Sequence, residues 1–149
     1  MENNVEILKA SADDLNLFKG LLTVFEETFE MVNFNIPDDK YLSTLLKNPT
    51  FMIYVVRSNK EVIGGLTAHI LPSYYFTSAE VYVYDLAIRP AHQRKGFGKQ
   101  LMFLLKKDCK AMGFKEVFVQ ADLVDTHALD FYHATGGIPE NVVHFYYPL

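Results

Sequence analysis

The sequence predicts a mixed α/β (α+β) domain. Two orders of predicted strands and helices along the chain support that prediction. Between residues 51 and 88, three β-rich segments follow one another across short turns, which is typical of an antiparallel meander. Further along, a strand, a helix and another strand follow within about 40 residues. That order implies a right-handed crossover and a parallel strand pair. The chain of 149 residues is expected to form one domain over residues 1–149.

The first part of the chain is predicted to be a short strand followed by two helices. The strand covers residues 5–9. The first helix follows Ser11, whose hydroxyl is the expected cap, carries acids in its first turn, and continues to about Glu30. The second helix covers residues 38–47, because an Asn-Pro pair after it ends the pattern.

In the rest of the chain, segments with the alternating apolar pattern of strands follow segments with the apolar spacing of helices. The predicted elements are strands over 51–57, 61–71 and 79–88, a helix over 99–112, a strand over 115–121, a helix over 126–135 and a last strand over 142–146. Gly113 is well placed to end the longer helix, because glycine readily adopts the left-handed conformation found there.

Composition and charge limit the classes of function. The net charge of −4 at pH 7 disfavours sequence-independent nucleic-acid binding, which depends on basic surface. It suits a neutral or cationic substrate, or it serves solubility alone. No apolar run approaches the roughly 20 residues of a membrane span. The single cysteine, Cys109, allows no internal disulfide and is expected in the core or on a helix surface. With no recognisable signal peptide, a cytoplasmic location is expected.

The most informative segment joins the third meander strand to the following helix. Pro90 blocks continuation of the strand. The segment after it contains two glycines and three basic side chains: Gln93, Arg94, Lys95, Gly96, Phe97, Gly98 and Lys99. The glycines let the backbone turn sharply. Backbone N–H groups then converge at a helix N-terminus, where the helix dipole favours anions. The pattern predicts a pyrophosphate cradle.

Two other phosphate motifs do not fit this segment. A dinucleotide-binding fingerprint needs a third glycine three residues after Gly98, where Leu101 stands. A P-loop needs Ser or Thr after Gly98-Lys99, where Gln100 stands. The remaining alternative is a glycine turn that opens a basic helix without binding phosphate.

The surroundings of the segment resemble one protein family. Leu86-Ala87-Ile88-Arg89-Pro90 followed by Gln93-Arg94-Lys95-Gly96-Phe97-Gly98 is similar to the acyl-CoA motif Q/R-x-x-G-x-G/A of the GNAT acetyltransferase superfamily. A second element resembles N-x-x-A-x-x-F/L-Y of that family, with Asp125 where Asn is usual, followed by Ala128, Phe131 and Tyr132. The resemblance implies acetyl-CoA as cofactor. It also implies the GNAT fold, a mixed and mostly antiparallel sheet of six to seven strands with a splayed parallel pair, flanked by about four helices.

Further segments are similar to type I aminoglycoside 3-N-acetyltransferases. They lie at residues 80–87, 119–122 and 143–145, together with Leu71-Pro72. In that family acids follow the His-Phe of the last strand, whereas here Tyr146-Tyr147-Pro148-Leu149 follows. The resemblance implies acetylation of an aminoglycoside amine by direct attack in a ternary complex. Other amines, namely a polyamine, an amino acid or a protein terminus, remain alternatives, as does a non-catalytic acetyl-CoA-binding module.

The resemblance also assigns roles to individual residues. Asp85 is the expected base or amine-orienting carboxylate, and Tyr132 the expected general acid. The structural alternatives are a strand-end cap or an ion pair with Arg89 for Asp85, and simple core packing for Tyr132. The expected cofactor contacts are Leu86, Ala87, Ile88, Gln93, Arg94, Lys95, Gly96, Phe97, Gly98, Lys99, Asp125, Ala128 and Phe131.

The acceptor side is predicted from acidic residues. Strict alternation along the third meander strand places Glu80 and Tyr82 on the face opposite to Asp85, so Glu80 is a second choice of base. The side chains expected to bind a cationic acceptor are Glu26, Glu27, Glu30, Glu80, Asp122 and His144. For His144 a purely structural role is the alternative. The five histidines show no metal-binding spacing, and a homodimer contact through Tyr74, Tyr75 and Phe76 is a further expectation.

Overall fold

Five strands form one sheet in which neighbours along the chain are also neighbours in space. The computed structural model describes residues 4–149, and in that part the strands are β1 (Val5–Lys9), β2 (Phe51–Ser58), β3 (Glu61–Pro72), β4 (Ala79–Ile88) and β5 (Glu116–Val119). The strands β1 to β4 pair antiparallel, whereas β5 pairs parallel with β4. The predicted mixed sheet with a meander and one parallel pair is confirmed.

All four predicted helices are present, three between strands and one after β5, with ends that differ from the predicted ones by a few residues. They are α1 (Leu15–Thr28), α2 (Asp39–Lys47), α3 (Phe97–Ala111) and α4 (Thr126–Ala134), with a short 3₁₀ turn at Pro90–His92 before α3. Within residues 4–149 no helix is both long enough and apolar enough to cross a membrane.

The predicted start of the first helix is wrong. The helix begins at Leu15, and no side chain caps it. Instead, the Asp14 carboxylate accepts a hydrogen bond from the Ser11 N–H at 2.6 Å, and the Ser11 hydroxyl accepts one from the Asp13 N–H at 3.3 Å. These short polar side chains therefore form a turn before the helix, as Ser and Asp often do. In α2 the expected capping does occur, since Asp38 accepts from the Tyr41 N–H at 2.8 Å.

The last predicted strand, over residues 142–146, is also wrong for a single chain. Residues 136–149 form no helix or strand, and every one of them is exposed. The described sheet accordingly has five strands, rather than six or seven. An alternating apolar segment forms a strand only when a neighbouring edge pairs with it, and residues 142–146 pair with no edge of the described chain.

Two apolar clusters lie on opposite faces of the sheet. On one face, α3 packs against β2, β3 and β4 with the buried side chains Leu101, Met102, Leu105 and Cys109. Cys109, expected in the core or on a helix surface, lies in the core. On the other face, α1 and α2 cover the sheet with the buried side chains Phe18, Leu21, Val24, Phe25, Leu42 and Leu46. Because α3 is held firmly on the sheet, the loop that precedes it has a fixed position.

One polar contact ties α3 to the centre of the sheet. Tyr54 on β2 is fully buried, and its hydroxyl donates to the Asp108 carboxylate of α3 at 2.7 Å. Burial, and then the hydrogen bond to Asp108, raises the pKa of this tyrosine, so the hydroxyl stays a donor. A buried hydroxyl that bonds to a charged partner is costly to remove, because the partner loses its donor.

We predict that Tyr54→Phe lowers the free energy of unfolding by about 1.5–3 kcal/mol, the range for a hydrogen bond to a charged group. Denaturant unfolding at neutral pH measures the change. The matched control is Tyr41→Phe, because Tyr41 is 61% exposed and its hydroxyl lies at the surface. Equal stability of the two variants would contradict the assigned contact.

Candidate active site

The loop between β4 and α3 turns the chain back over the end of the sheet. Its 3₁₀ turn begins with Pro90, and the Gln93 side chain donates to the Ile88 carbonyl at 2.8 Å, which clamps the loop onto β4. Arg94 then adopts a left-handed conformation with φ of 62°. Gln93 therefore holds the loop, while Arg94 and Lys95 remain exposed at its surface.

Gly96 is the residue before α3, and its backbone conformation requires a residue without a side chain. Its φ is 84°, which side-chain-bearing residues rarely adopt. A Cβ added there would meet open space, the nearest atom being the Gln100 side chain at 3.9 Å. The Gln100 N–H donates to the Gly96 carbonyl at 3.1 Å, and the N–H groups before it have no helical carbonyl to donate to. The loop thus leaves open space in front of free N–H donors.

Gly98 has a different role, which the sequence did not reveal. A Cβ on Gly98 would lie 3.0 Å from the Phe131 ring of α4. Glycine here lets α4 approach the first turn of α3 closely. The Asp125 carboxylate caps α4 by accepting from the Ala128 N–H at 3.0 Å, so this residue stabilises the helix that carries Phe131 and Tyr132. The segment that contains Asp125 and Phe131 is thereby packed against the glycine-rich segment before α3.

A β-bulge at Tyr84 decides which way the side chains of β4 point. Thr67 pairs with Asp85, but the next residue of β3, Ala68, pairs with Val83, so Tyr84 has no partner across the ladder. Directly paired residues face the same side of a sheet, and one extra residue reverses the alternation. Asp85 therefore lies on the same face as Tyr82 and Glu80. The expectation from strict alternation, that Asp85 faces the opposite side, is wrong.

Asp85 lies where β4 and β5 part. The parallel ladder ends at Val83 opposite Val119, and β4 continues paired with β3 only. Burial raises the pKa of the Asp85 carboxyl to about 6. The ion pair considered for it does not form, because Arg89 instead pairs with Glu27 at 3.0 Å and with Glu61. Asp85 is a partly buried carboxylate without an ion pair in the described chain, poised to exchange a proton near neutral pH.

Tyr132 lies within electrostatic range of Asp85. Burial raises the pKa of this phenol to about 12, and the charges of Asp85 and Asp125 contribute to the rise. Its hydroxyl therefore keeps a proton at neutral pH. The carboxylate and the phenol come from β4 and α4, so the two predicted catalytic residues are brought near each other by the fold.

A row of aromatic rings crosses the same face of the sheet, beside Asp85. Phe51, His69, Tyr82 and Phe118 are directly paired across four strands. Rings of neighbouring strands touch, with centroids 5.0 Å apart for Phe51–His69 and for Tyr82–Phe118. Tyr84, the bulged residue, spans His69 and Tyr82 at 5.7 and 5.9 Å and is 62% exposed.

This aromatic row was not anticipated as a site feature. Burial lowers the pKa of His69, so its imidazole is neutral at pH 7 and adds no positive charge. The signal in the sequence was limited to Tyr82 and Tyr84 at alternate positions of β4, since the other three rings come from three separate strands. Neutral aromatic faces attract cations and stack on apolar ring surfaces.

The acidic residues predicted for the acceptor side are only partly available. Glu26 is half-buried and Glu30 exposed at the end of α1, whereas Glu27 is engaged with Arg89. Asp122 is exposed in the loop after β5. His144 lies in the unpaired segment, and no contact in residues 4–149 brings it to the other predicted residues. Nor do the described residues include a group of three or more His, Cys, Asp or Glu side chains placed to hold a metal ion.

Solved structures of soil enzymes are similar to this one over nearly their whole length. The aminoglycoside acetyltransferase meta-AAC0020 from an uncultured soil metagenomic sample, in complex with trehalose, has 43% identity and a TM-score of 0.95, covering 97% of this chain and 96% of that one. Its complex with sisomicin gives 42% identity and the same TM-score and coverage. The aminoglycoside acetyltransferase HMB0005, also from uncultured soil, has 31% identity, a TM-score of 0.92 and coverage of 98% and 99%.

More distant structures share the fold alone. AAC(6')-Iy in complex with CoA has 19% identity and a TM-score of 0.79, with coverage of 99% and 97%. No curated protein sequence is similar enough to count as a match. The profile of the acetyltransferase (GNAT) family matches residues 18–136, which include the loop before α3, Asp85 and Tyr132. The chain therefore belongs to the GNAT acetyltransferase family and is an acetyltransferase enzyme.

Proposed function

We propose that this enzyme transfers acetyl from acetyl-CoA to a primary amine of an aminoglycoside, at the 3-N position. The proposal is supported by one arrangement. Asp85 lies just past the last β4–β5 pair, and Tyr132 lies within electrostatic range of it, on the helix whose Phe131 packs against Gly98 of α3. The GNAT family uses acetyl-CoA for acetyl transfer. An ionisable carboxylate and a protonated phenol are the groups that amine acylation needs.

The residues of the loop fit the pyrophosphate of CoA. Gly96 leaves open space in front of the first N–H groups of α3, and Arg94, Lys95 and Lys99 add positive charge. Free N–H donors at a helix N-terminus bind phosphate groups well. Beside Gly98 lie the Leu86 side chain and the Phe131 ring, and the Asp125 cap on the Ala128 N–H stabilises the start of α4. The resemblance adds Ala87, Ile88 and Phe97 as cofactor contacts. When bound there, acetyl-CoA supplies an activated acetyl group and a thiol leaving group.

Asp85 and Tyr132 have different roles, one as a proton acceptor and the other as a hydrogen-bond donor. An acceptor amine must lose a proton before it attacks, and an Asp85 carboxylate with a pKa of about 6 is ionised at pH 7 and able to take it, directly or through water. Tyr132, with a pKa of about 12, keeps its proton. Full transfer to a thiolate of ordinary pKa, about 8.5, would be uphill, so the hydroxyl assists as a hydrogen-bond donor.

The acceptor side favours a sugar that carries several amines. The aromatic row supplies flat ring faces, and Asp85 and Glu80 lie on the same face of the sheet. Of the other predicted acids, Glu26, Glu30 and Asp122 form no ion pair within residues 4–149, while Glu27 is already paired with Arg89. The complex of meta-AAC0020 with sisomicin, at 42% identity, supports the same class of acceptor. A cytoplasmic location remains a prediction from the sequence.

The acceptor prediction is tested with a panel of amines. With aminoglycosides, a polyamine and a neutral amino acid, we expect the highest kcat/KM for aminoglycosides, a product acetylated at the 3-nitrogen, and a KM that rises with salt as screening increases. Glu30→Gln should raise this KM, whereas Asp13→Asn, at the other end of α1, should not. Much faster acetylation of the neutral amino acid would refute the aminoglycoside assignment.

The cofactor loop is tested with two matched glycines at the ends of α3. Gly96 and Gly113 both have positive φ, 84° and 75°, and a Cβ added to either would meet no atom closer than 3.9 Å. Gly96→Val and Gly113→Val should therefore destabilise the fold similarly, by about 1–2 kcal/mol. Acetyl-CoA should raise the Tm of the wild type and of Gly113→Val. An equal rise for Gly96→Val would contradict the cradle.

The raised pKa of Asp85 predicts a pH dependence of both activity and stability. Below pH 6 the carboxyl is protonated, so kcat/KM should fall about tenfold per pH unit. Because the folded pKa of about 6 exceeds the ordinary 3.8, the stabilisation of the fold by protonation is complete below pH 4 and lost as pH rises through 6. Asp85→Asn should thus raise stability at pH 8 by about 1 kcal/mol, since the partly exposed group is screened, but not at pH 4. Glu80→Gln is the control that should retain the acid limb of the rate profile.

A further inference from the structure

The open part of the sheet face beside Asp85 is lined by aromatic rings. On this face α1 and α2 cover β2, β3 and Ala87, which is buried near the C-terminal end of β4. Asp85 is half-buried at the border of that cover. Beyond it the face carries the half-buried rings of the aromatic row and the exposed Tyr84. A substrate held by Asp85 therefore meets aromatic rings on its open side.

Tyr84 is the ring best placed to contact such a substrate. The bulge leaves this residue without a partner on β3, and the residue is 62% exposed. Its ring is inclined at 74° to the His69 ring and at 70° to the Tyr82 ring, with centroids 5.7 and 5.9 Å apart. Rings at such angles form a corner, in which a further ring can contact one by its face and the other by its edge. Aromatic pairs favour both offset-stacked and edge-to-face contacts.

The charges near these rings suit a single ammonium group. Burial raises the pKa of the Tyr82 phenol, and Tyr84 and the charge of Asp85 contribute to the rise, so these three side chains lie close together. His69 is neutral at pH 7 and does not repel a cation. Asp85 has no ion pair within residues 4–149, because Arg89 is engaged elsewhere. The ammonium group of a substrate is therefore a suitable partner for Asp85.

We propose that this enzyme also acetylates arylalkylamines, in which a short alkyl linker joins a primary amine to an aromatic ring. The amine lies at Asp85, and the ring contacts Tyr84 and Tyr82. Successive residues on one face of a strand are about 6.6 Å apart, a distance that a two-carbon linker and one hydrogen bond can span. Two further carboxylates of this face, Glu80 and Glu116, are paired beyond Tyr82, and a single amine needs neither.

The reaction is the same acetyl transfer with a different acceptor. Once Asp85 has taken one proton from the ammonium group, the amine nitrogen attacks the thioester carbonyl. A C–N bond forms and the C–S bond breaks. The nitrogen loses its second proton as the sulfur gains one, so the products are an N-acetyl amide and the thiol of CoA. This activity rests on the proposed roles of Asp85 and Tyr132, but not on an aminoglycoside as acceptor.

Two matched amines test the aromatic contact. Phenethylamine and cyclohexylethylamine have the same linker and primary amine and nearly the same size, but only the first has an aromatic face. We expect phenethylamine to yield an N-acetyl product, identified by mass spectrometry. Its kcat/KM should be about 2–12-fold above that of cyclohexylethylamine, the gain of aromatic pairs over simple apolar burial. Absence of the product, or equal values for the two amines, would overturn the proposal.

Substitution of Tyr84 tests where the ring of the substrate binds. Tyr84→Leu should lower the ratio of the two kcat/KM values by at least about twofold, the lower limit for an aromatic pair. The change should lie in the KM for phenethylamine rather than in kcat, because the ring does not contact the reacting atoms. Tyr84→Phe keeps the ring and should keep the ratio. The matched control is Tyr41→Leu on α2, since Tyr41 is 61% exposed. A ratio that Tyr84→Leu leaves unchanged, or that Tyr41→Leu lowers equally, would refute the assigned position.

The choice of acceptors distinguishes the arylalkylamine activity from the proposed aminoglycoside activity. Acetylation of phenethylamine but of no aminoglycoside would refute the proposed acceptor and support the arylalkylamine activity. Acetylation of aminoglycosides alone would do the reverse, and acetylation of neither would overturn both. If both are acetylated, phenethylamine should inhibit aminoglycoside acetylation competitively, because both amines bind at Asp85. Inhibition that excess aminoglycoside does not relieve would contradict the shared site.

Discussion

The parting of β4 from β5 is the constraint on which the site depends. Two parallel strands share a ladder only as far as Val83 and Val119, and beyond that point β4 must satisfy its backbone on the β3 side alone. The bulge at Tyr84 occurs right there and increases the local twist, as bulges do. Together these features end the shared ladder just before Asp85 and place Asp85 on the face that the aromatic row occupies.

Side-chain packing holds the helices around Asp85 in place. α3 is anchored on the sheet by its apolar side chains and by the Tyr54–Asp108 hydrogen bond. The N–H groups at its N-terminus are therefore held in a fixed position. Gly98 lets Phe131 approach α3, which fixes α4 and hence Tyr132. Positioning from rigid elements suits catalysis, because small errors in the placement of reacting groups cost large factors in rate. The predicted catalytic residue Tyr132 therefore depends on the same packing that stabilises the fold.

The electrostatics of the site follow from partial burial. The Asp85 carboxyl loses hydration without gaining an ion pair, since Arg89 is taken by Glu27 and Glu61. That loss raises its pKa towards neutrality, and its charge in turn helps to keep the Tyr132 phenol protonated. The pKa values of these two groups, about 6 for Asp85 and about 12 for Tyr132, thus lie below and above physiological pH. Such a pair is able to receive a proton at one position while donating a hydrogen bond at another.

The sequence alone determined what depends on local periodicity and on short motifs. The strand bounds of β1 and β4 were predicted to the residue, and the glycine-rich segment before α3 identified the family, because turn residues and alternation act over a few neighbours. The tertiary structure alone decided three things. The bulge at Tyr84 reversed the predicted face of Asp85, the close approach of Phe131 explained Gly98, and residues 142–146 found no edge to pair with in their own chain. Each of these depends on residues distant in sequence, and no local pattern specifies where such residues meet.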